Sequence, residues 1–307
     1  MTEIALALGG GGVKGIAHIG VIKRLEKEGF KIRAIAGTSA GGIVGAVYAA
    51  GVKLDHIISE LGMINHKDFF ARKPEDPPSL LGLAGLVNFL NSYLEDKNFT
   101  DLSIPLALTA VDIRSKQEII LNKGNVIQAV LATVAIPGVF PPVYIHDFEL
   151  VDGGVLDPVP VAVARWLAPH LPVVAVCLSP TPEEWREMPE LSVPIEPPLP
   201  RPILHQISQS RFAQSLRIFV NSMDITARMV TELRLQVEKP DVIIRPEVHH
   251  VAPLDRVHPK ELVEAGEQSV IEILPRLHES LAWYYQIVRR FRDAQPPGKV
   301  LEEDITD

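Results

Sequence analysis

Apolar runs of strand length alternate with apolar positions at helical spacing along the first part of the chain. Ile4-Ala5-Leu6-Ala7-Leu8 is continuous and apolar; Ile16, Ile19, Val21, Ile22 and Leu25 then recur at near-helical intervals up to Gly29. Ile32 to Ala36 is a second apolar run, and it leads into the small-residue stretch Gly37 to Ala49. Short apolar runs bounded by turns read as buried strands, and the wider spacing reads as helix. Strand, helix, strand, helix predicts right-handed crossovers and a mainly parallel sheet flanked by helices, an α/β fold. It also places two glycine-rich turns at the carboxyl ends of strands, where open α/β sheets bind ligands.

Beyond Leu54 the pattern is helical but interrupted by a loop at Pro74, Pro77 and Pro78. Leu80 to Leu94 carries no charge and reads as a core helix or as part of a substrate-facing cap. Ile104 to Ala110 and Gln117 to Leu121 predict two strands joined near Arg114-Ser115, and Asn125 to Val134 predicts a helix. Ala135 to Pro142 is a rigid connection, followed by two strand-like pieces that flank His146-Asp147. The second, Phe148 to Val151, runs into Asp152-Gly153-Gly154. Val161 to Leu167 is a predicted helix and Val173 to Leu178 a predicted buried strand. Ser179 to Ile203 holds eight of the chain's 26 prolines, so it reads as a stiff, extended non-core segment: a lid, a partner contact or a loop. His205 to Val237 is a long helical pattern, Asp241 to Ile244 a short strand, and Pro259 to Arg292 a final helical region with a break expected at Pro275. The expected organisation is a single α/β domain over residues 1–293 with a helical cap and C-terminal helices, then a polar, frayed tail over 294–307.

Composition narrows the function classes. The 307 residues are 47% apolar and 22% charged, which is ordinary for a globular protein. A net charge of −8 argues against a general nucleic-acid binder. The single cysteine, Cys177, excludes an internal disulfide and fits a reducing compartment; its apolar surroundings make it a core residue. Met1-Thr2-Glu3 lacks the basic start of a signal peptide. Ala34 to Val52 is 19 residues without a charge, near bilayer length, but its five glycines and many alanines read as a buried core helix. A cytoplasmic location is therefore expected. Trp283, Tyr284, Tyr285, Arg289, Arg290, Phe291 and Arg292 form a basic-aromatic cluster, read as a docked terminal helix or as a transient contact with a membrane surface.

Three turns carry candidate chemistry. Gly37-Thr38-Ser39-Ala40-Gly41 lies between a strand and a helix, the G-x-S-x-G pattern of a nucleophile elbow. A serine on a tight turn points into a cleft, and Gly37 and Gly41 let the turn close. Gly10-Gly11-Gly12-Val13-Lys14-Gly15 also satisfies G-x-G-x-x-G, so a dinucleotide site has to be weighed. That reading wants an acidic residue about 20 positions on at the end of the next strand. The strand instead ends in Gly37-Thr38-Ser39, and no Gly-Lys-Ser/Thr is present for a phosphate loop. Consecutive glycines do offer backbone N–H groups that can cradle a developing oxyanion, with the Lys14 charge nearby unless that side chain is simply solvated. In Asp152-Gly153-Gly154 the two glycines allow close approach to another loop, so Asp152 can serve as a general base if it is desolvated, or it is an ordinary turn residue. His249, His250 and His258 follow in the order that a catalytic triad would need, but their proline neighbours suggest surface loop. Asp157 is expected to cap the helix that follows or to brace the Asp152 turn. No pattern supports a metal site.

These three turns, in this order, together with AIPGVFPPV at Ala135 to Val143, resemble the patatin-like phospholipases, of the bacterial sort related to the neuropathy target esterase catalytic domain. The likeness covers about the first 160 residues, with weaker similarity at Pro240 to Pro246 and Glu261 to Gly266. It implies a serine acyl hydrolase acting on ester bonds of lipids through a Ser–Asp dyad, without histidine, metal or cofactor. Ser39 would be the nucleophile and Asp152 the base. Gly10, Gly11 and Gly12 would form the oxyanion hole, with Lys14, Gly37, Gly41, Gly153 and Gly154 in support. Lys14 stands where many relatives carry arginine, and Asp157 where an asparagine is frequent. The alternatives are a non-catalytic regulatory protein on the same scaffold and a nucleotide-binding protein that uses the glycine turn.

Overall fold

The computed structural model of the chain describes residues 2–61, 79, 81–187, 211–280, 294–301 and 305. Its centre is a mixed sheet. Four strands, β1 (Thr2–Leu8), β2 (Phe30–Gly37), β3 (Leu106–Asp112) and β4 (Gln117–Leu121), precede the hairpin of β5 (Val143–Ile145) and β6 (Phe148–Asp152); β7 (Val173–Val176), β8 (Val242–Ile244) and β9 (Lys299–Val300) complete the sheet. β3, β2, β1, β7 and β8 are mutually parallel in that order, while β4 and β6 pair with β3 antiparallel. The expected parallel core is present, and the antiparallel strands gather at one end.

Side-chain size alternates across the sheet. Ile4, Leu6 and Leu8 of β1 enter one core and Ala5 and Ala7 the other. Leu106 and Leu108 of β3 repeat the division against Ala107, as do Val174 and Val176 of β7 against Ala175. The pleat sends successive residues to opposite faces, so one face is bulky and the other shallow. In β2 the alternation is reset at Arg33, where the register with β1 slips. The bulky face is covered by α1 (Ala17–Lys27), α2 (Ala40–Ala49), α3 (Leu54–Leu61), α4 (Ala84–Leu94) and α5 (Val126–Thr133). The shallow face receives α6 (Val161–Leu167) and, through Leu235, α7 (Arg211–Glu238). α8 (Pro259–Ser280) packs along α1.

Several expectations shift in detail. α8 runs through Pro275 without the expected break. Ile271, four residues earlier, is the one whose carbonyl loses its donor, and it faces solvent. For the described part of Leu80 to Leu94 the core reading holds: Leu86, Phe89, Leu90 and Leu94 are buried, and Leu86 and Phe89 also line a cavity that reaches Ser39. Among the described residues no helix is long and apolar enough to cross a membrane. The basic-aromatic cluster from Trp283 to Arg292 lies outside the described residues, as does the proline-rich stretch beyond Glu187.

Candidate active site

β2 and β6 reach the same edge of β3 from opposite directions. β2 pairs with Leu106 to Leu108, and β6 pairs with Ala110 to Asp112. β2 ends at Gly37 and β6 at Asp152, so the two carboxyl ends meet head-on across Thr109. Ser39 follows the first end and Asp152 closes the second. This arrangement brings together residues 113 positions apart.

The elbow is strained. Ser39 has φ 54° and ψ −123°, a region that non-glycine residues rarely occupy. Its neighbours hold it there. The Ser39 N–H donates to Thr133 Oγ1 (2.9 Å) at the end of α5, and the Thr38 N–H donates to the Leu8 carbonyl (3.0 Å). The Thr38 hydroxyl donates to the Asp157 carbonyl (2.8 Å) and lies 2.7 Å from Thr109 Oγ1. Gly41 must be glycine, because a Cβ there would sit 2.1 Å from the Leu8 carbonyl oxygen. At Gly37 a Cβ would be driven into the first turn of α2, 2.7 Å from Gly42 Cα.

Asp152 is buried. Its Oδ1 accepts the Gly154 N–H (2.7 Å), and its carboxylate accepts a hydrogen bond from the Ser39 side chain. Burial raises its pKa from the ordinary 3.8 to about 6, against the opposing pull of the Ser39 and Gly154 hydrogen bonds. Gly153 lets β6 press on β3: a Cβ there would lie 2.2 Å from Thr109 Oγ1. A buried carboxylate that titrates near 6 and touches a serine hydroxyl is suited to take that proton near neutral pH.

The glycine turn runs past Ser39, and a Cβ on Gly10 would lie 3.2 Å from the serine Cβ. The expectation that Gly10 offers a free N–H is not met: it donates to the Pro158 carbonyl (3.0 Å). Among the described residues the Gly11 and Gly12 N–H groups serve no backbone carbonyl, so they are the donors left for an anion. Gly12 has φ +61° and passes so close to Pro253 that a Cβ would meet its carbonyl oxygen at 2.1 Å. Lys14 is not a solvated surface lysine. It is 6% exposed and lines the cavity that contains Ser39 and Asp152. Burial lowers its pKa, and Asp224 of α7 opposes that shift.

His18 escaped the sequence reading, because on the apolar face of α1 it looks like filler. It is fully buried, and its Nε2 lies 2.8 Å from the Gly9 carbonyl, which can only accept. The proton therefore sits on Nε2. Burial lowers its pKa to about 4, so the ring is a neutral strut under the glycine turn. His249, His250 and His258 line neither cavity at Ser39. Asp157 does not cap α6, whose first turn is preceded by Pro160 without a side-chain cap. It braces the Asp152 turn instead: its N–H donates to the Gly153 carbonyl (2.8 Å), and its own carbonyl holds Thr38. Among the described residues no three His, Cys, Asp or Glu side chains are grouped so as to hold a metal ion.

Two cavities meet at Ser39. The first, about 240 Å³, contains Asp152, Lys14 and Gly11 and is walled by α7 at Met223, Ala227 and Thr231. The second, about 150 Å³, is almost wholly apolar; Ile43, Val44 and Val47 of α2 face Leu86 and Phe89 of α4 across it.

The profile of a family described as "Patatin-like phospholipase" matches residues 6–165, which contain all three turns. An "Uncharacterized NTE family protein" of Mycobacterium tuberculosis is 34% identical over 164 residues, covering 52% of this chain and 45% of that protein. "Lysophospholipase NTE1" of Candida albicans is 30% identical over 168 residues, 52% of this chain and 12% of that protein. The chain thus spans less than half the length of these relatives. VipD from Legionella pneumophila aligns over 89% of this chain and 66% of its own, with 13% identity and a TM-score of 0.48.

Proposed function

This chain belongs to the patatin-like phospholipase family, and from that premise we propose that it is a serine acyl hydrolase that cleaves ester bonds of lipids. The observation that carries the reading is Ser39, strained on its elbow, hydrogen-bonded to a buried Asp152 where two cavities join. In the proposed reaction Ser39 Oγ attacks the ester carbonyl while Asp152 takes the hydroxyl proton. The Gly11 and Gly12 N–H groups hold the oxyanion; a donor of that kind is worth about 2.7–4 kcal/mol of transition-state stabilisation. Asp152 returns the proton to the leaving alkoxide. It then removes a proton from the water that opens the acyl-enzyme, and Ser39 is restored.

The lipid substrate is supported by the apolar cavity, which suits an acyl chain, and by the relative named lysophospholipase. The leaving group would occupy the 240 Å³ cavity, beside Lys14 and the Asp224–Arg228 ion pair. A fluorophosphonate probe incubated with the wild-type protein is expected to add one adduct, mapped by peptide mass spectrometry to Ser39, and the protein is expected to hydrolyse lysophospholipid or other acyl esters. A folded protein with neither adduct nor turnover would instead support the regulatory reading.

Acyl-chain length gives a second test. Val47 lies eight residues along α2 from Ser39, about 12 Å at helical rise. Val47→Phe puts bulk into the apolar cavity at that depth. Each methylene in such a pocket is worth about 1–3 kcal/mol, so kcat/KM for hexadecanoyl esters is expected to fall at least roughly tenfold relative to butanoyl esters. An unchanged ratio between the two esters would place the acyl chain elsewhere.

A further inference from the structure

The loop after β6 leads into a buried charge cluster that the proposed chemistry does not use. Arg234 of α7 spans it. Its Nη2 donates to Asp157 Oδ2 (2.9 Å), its Nη1 to Glu118 Oε2 (3.3 Å) and the Leu156 carbonyl (3.1 Å), and its Nε to Glu238 Oε1 (2.8 Å). One guanidinium therefore faces three carboxyls: Glu118 from β4, Asp157 from the loop, and Glu238 from α7 itself. Glu238 is further occupied, since its Oε2 accepts the Ala162 N–H of α6 (2.9 Å).

The Asp157 and Glu118 carboxyls converge on this one guanidinium through Asp157 Oδ2 and Glu118 Oε2. Their other oxygens, Asp157 Oδ1 and Glu118 Oε1, are buried and find no donor among the described residues. Ionised carboxylates only accept, so a proton on one of the two carboxyls is what would satisfy such a pair. Asp157 is the more deeply buried, and burial raises its pKa well above the ordinary range, against the pull of Arg234.

The backbone of the same residue touches both halves of the site. The Asp157 carbonyl holds the hydroxyl of Thr38, which precedes Ser39, and its N–H holds the carbonyl of Gly153, which follows Asp152. We propose that Asp157, kept as the neutral acid between Glu118 and Arg234, is a positioning residue that sets Ser39 against Asp152, with Arg234 anchoring it to α7. This rests on the dyad reading above. Losing the Asp157 proton would leave three carboxylates on one guanidinium and loosen the loop. Folding holds Asp157 protonated where the unfolded chain ionises, so the stability this site contributes is greatest below the ordinary carboxylate pKa and declines as pH rises through the folded value.

Asparagine is the neutral isostere: its Nδ2–H can donate to Glu118 while its Oδ1 accepts from Arg234. In a pH profile of kcat on a soluble butanoyl ester, wild type is expected to decline at alkaline pH. Asp157→Asn should keep most of the neutral-pH rate and lose that decline. Asp157→Leu should drop kcat roughly 10²-fold at little-changed KM, the cost of a misplacement of about 1 Å. The proposal is overturned if folded Asp157→Asn is as impaired as Asp157→Leu, or if it keeps the wild-type alkaline limb. A measurement independent of turnover separates this from the dyad reading. In protein labelled with carboxyl-¹³C aspartate, the resonance that disappears in Asp157→Asn should hold the neutral-acid shift at pH 7. An ionised shift there sinks the proposal even in an active enzyme. A neutral shift in a protein that shows neither labelling nor turnover sinks the hydrolase reading alone.

Discussion

Ser39→Ala is expected to reduce ester turnover by roughly 10⁴-fold or more and to abolish fluorophosphonate labelling, because the hydroxyl proposed to form the acyl-enzyme is gone while the amides and cavities remain. The fold should survive, since the contacts that hold the elbow come from the Ser39 and Thr38 N–H groups and the Thr38 hydroxyl. Ser39→Gly separates chemistry from strain. A non-glycine residue in a sparsely populated backbone region costs about 1–3 kcal/mol, and alanine pays it as serine does. The glycine variant should therefore be as inactive as the alanine variant but melt higher, by about 2 °C for each kcal/mol relieved. Calorimetry on the two variants reads this directly. Equal melting temperatures would mean that the elbow stores no strain, and residual labelling in either would move the nucleophile elsewhere.

Asp152→Asn should remove most of the activity, a loss of roughly 10²–10⁴-fold for a general base, while making the fold more stable above pH 6. The sign follows from burial. The folded pKa of about 6 lies above the ordinary 3.8, so the unfolded chain ionises first and the native state binds the extra proton between those values. The site costs nothing below pH 3.8, costs progressively more up to pH 6, and above that costs about 3 kcal/mol, from about two pH units at 1.36 kcal/mol each. Asparagine keeps an acceptor for the Gly154 N–H and removes the charge. Denaturant unfolding at pH 8 should show the variant more stable than wild type, and the difference should vanish near pH 4. In the proposed reaction the ionised carboxylate is the base, so kcat/KM of wild type should rise with pH and level off above about 6. An acid limb centred near 4 would mean that Asp152 is solvated during turnover and that burial does not set its strength.

Much of the site was legible because its parts are local. A strand must break at Gly37, and a serine between glycines on such a break has few places to point. Gly12 and Gly41 are required by close backbone passage, and this shows in the chain as glycine. Misreadings arose where a side chain's state depends on what crosses it. Lys14 could be read as a charge beside the glycine turn or as a solvated lysine until α7 and the cavity wall closed over it, and Gly10 looked like a free donor until Pro158 came within 3.0 Å. His18 carried no signal of its own, since a histidine on an apolar helix face is indistinguishable from core until its acceptor is known.

By itself, the order of residues determined the alternation of strands and helices, the two glycine turns at strand ends and the elbow serine. All of these follow from backbone sterics and from side-chain periods of two and 3.6 residues, which act within a few positions. Only the tertiary structure decided that β6 shares an edge of β3 with β2, that Asp152 is buried against Ser39, and that Arg234 gathers carboxyls from β4, the Asp157 loop and α7. Proton affinity and hydrogen-bond partnership are properties of what lies within a few ångströms in space, and no short-range pattern along a chain encodes which distant segments will arrive there.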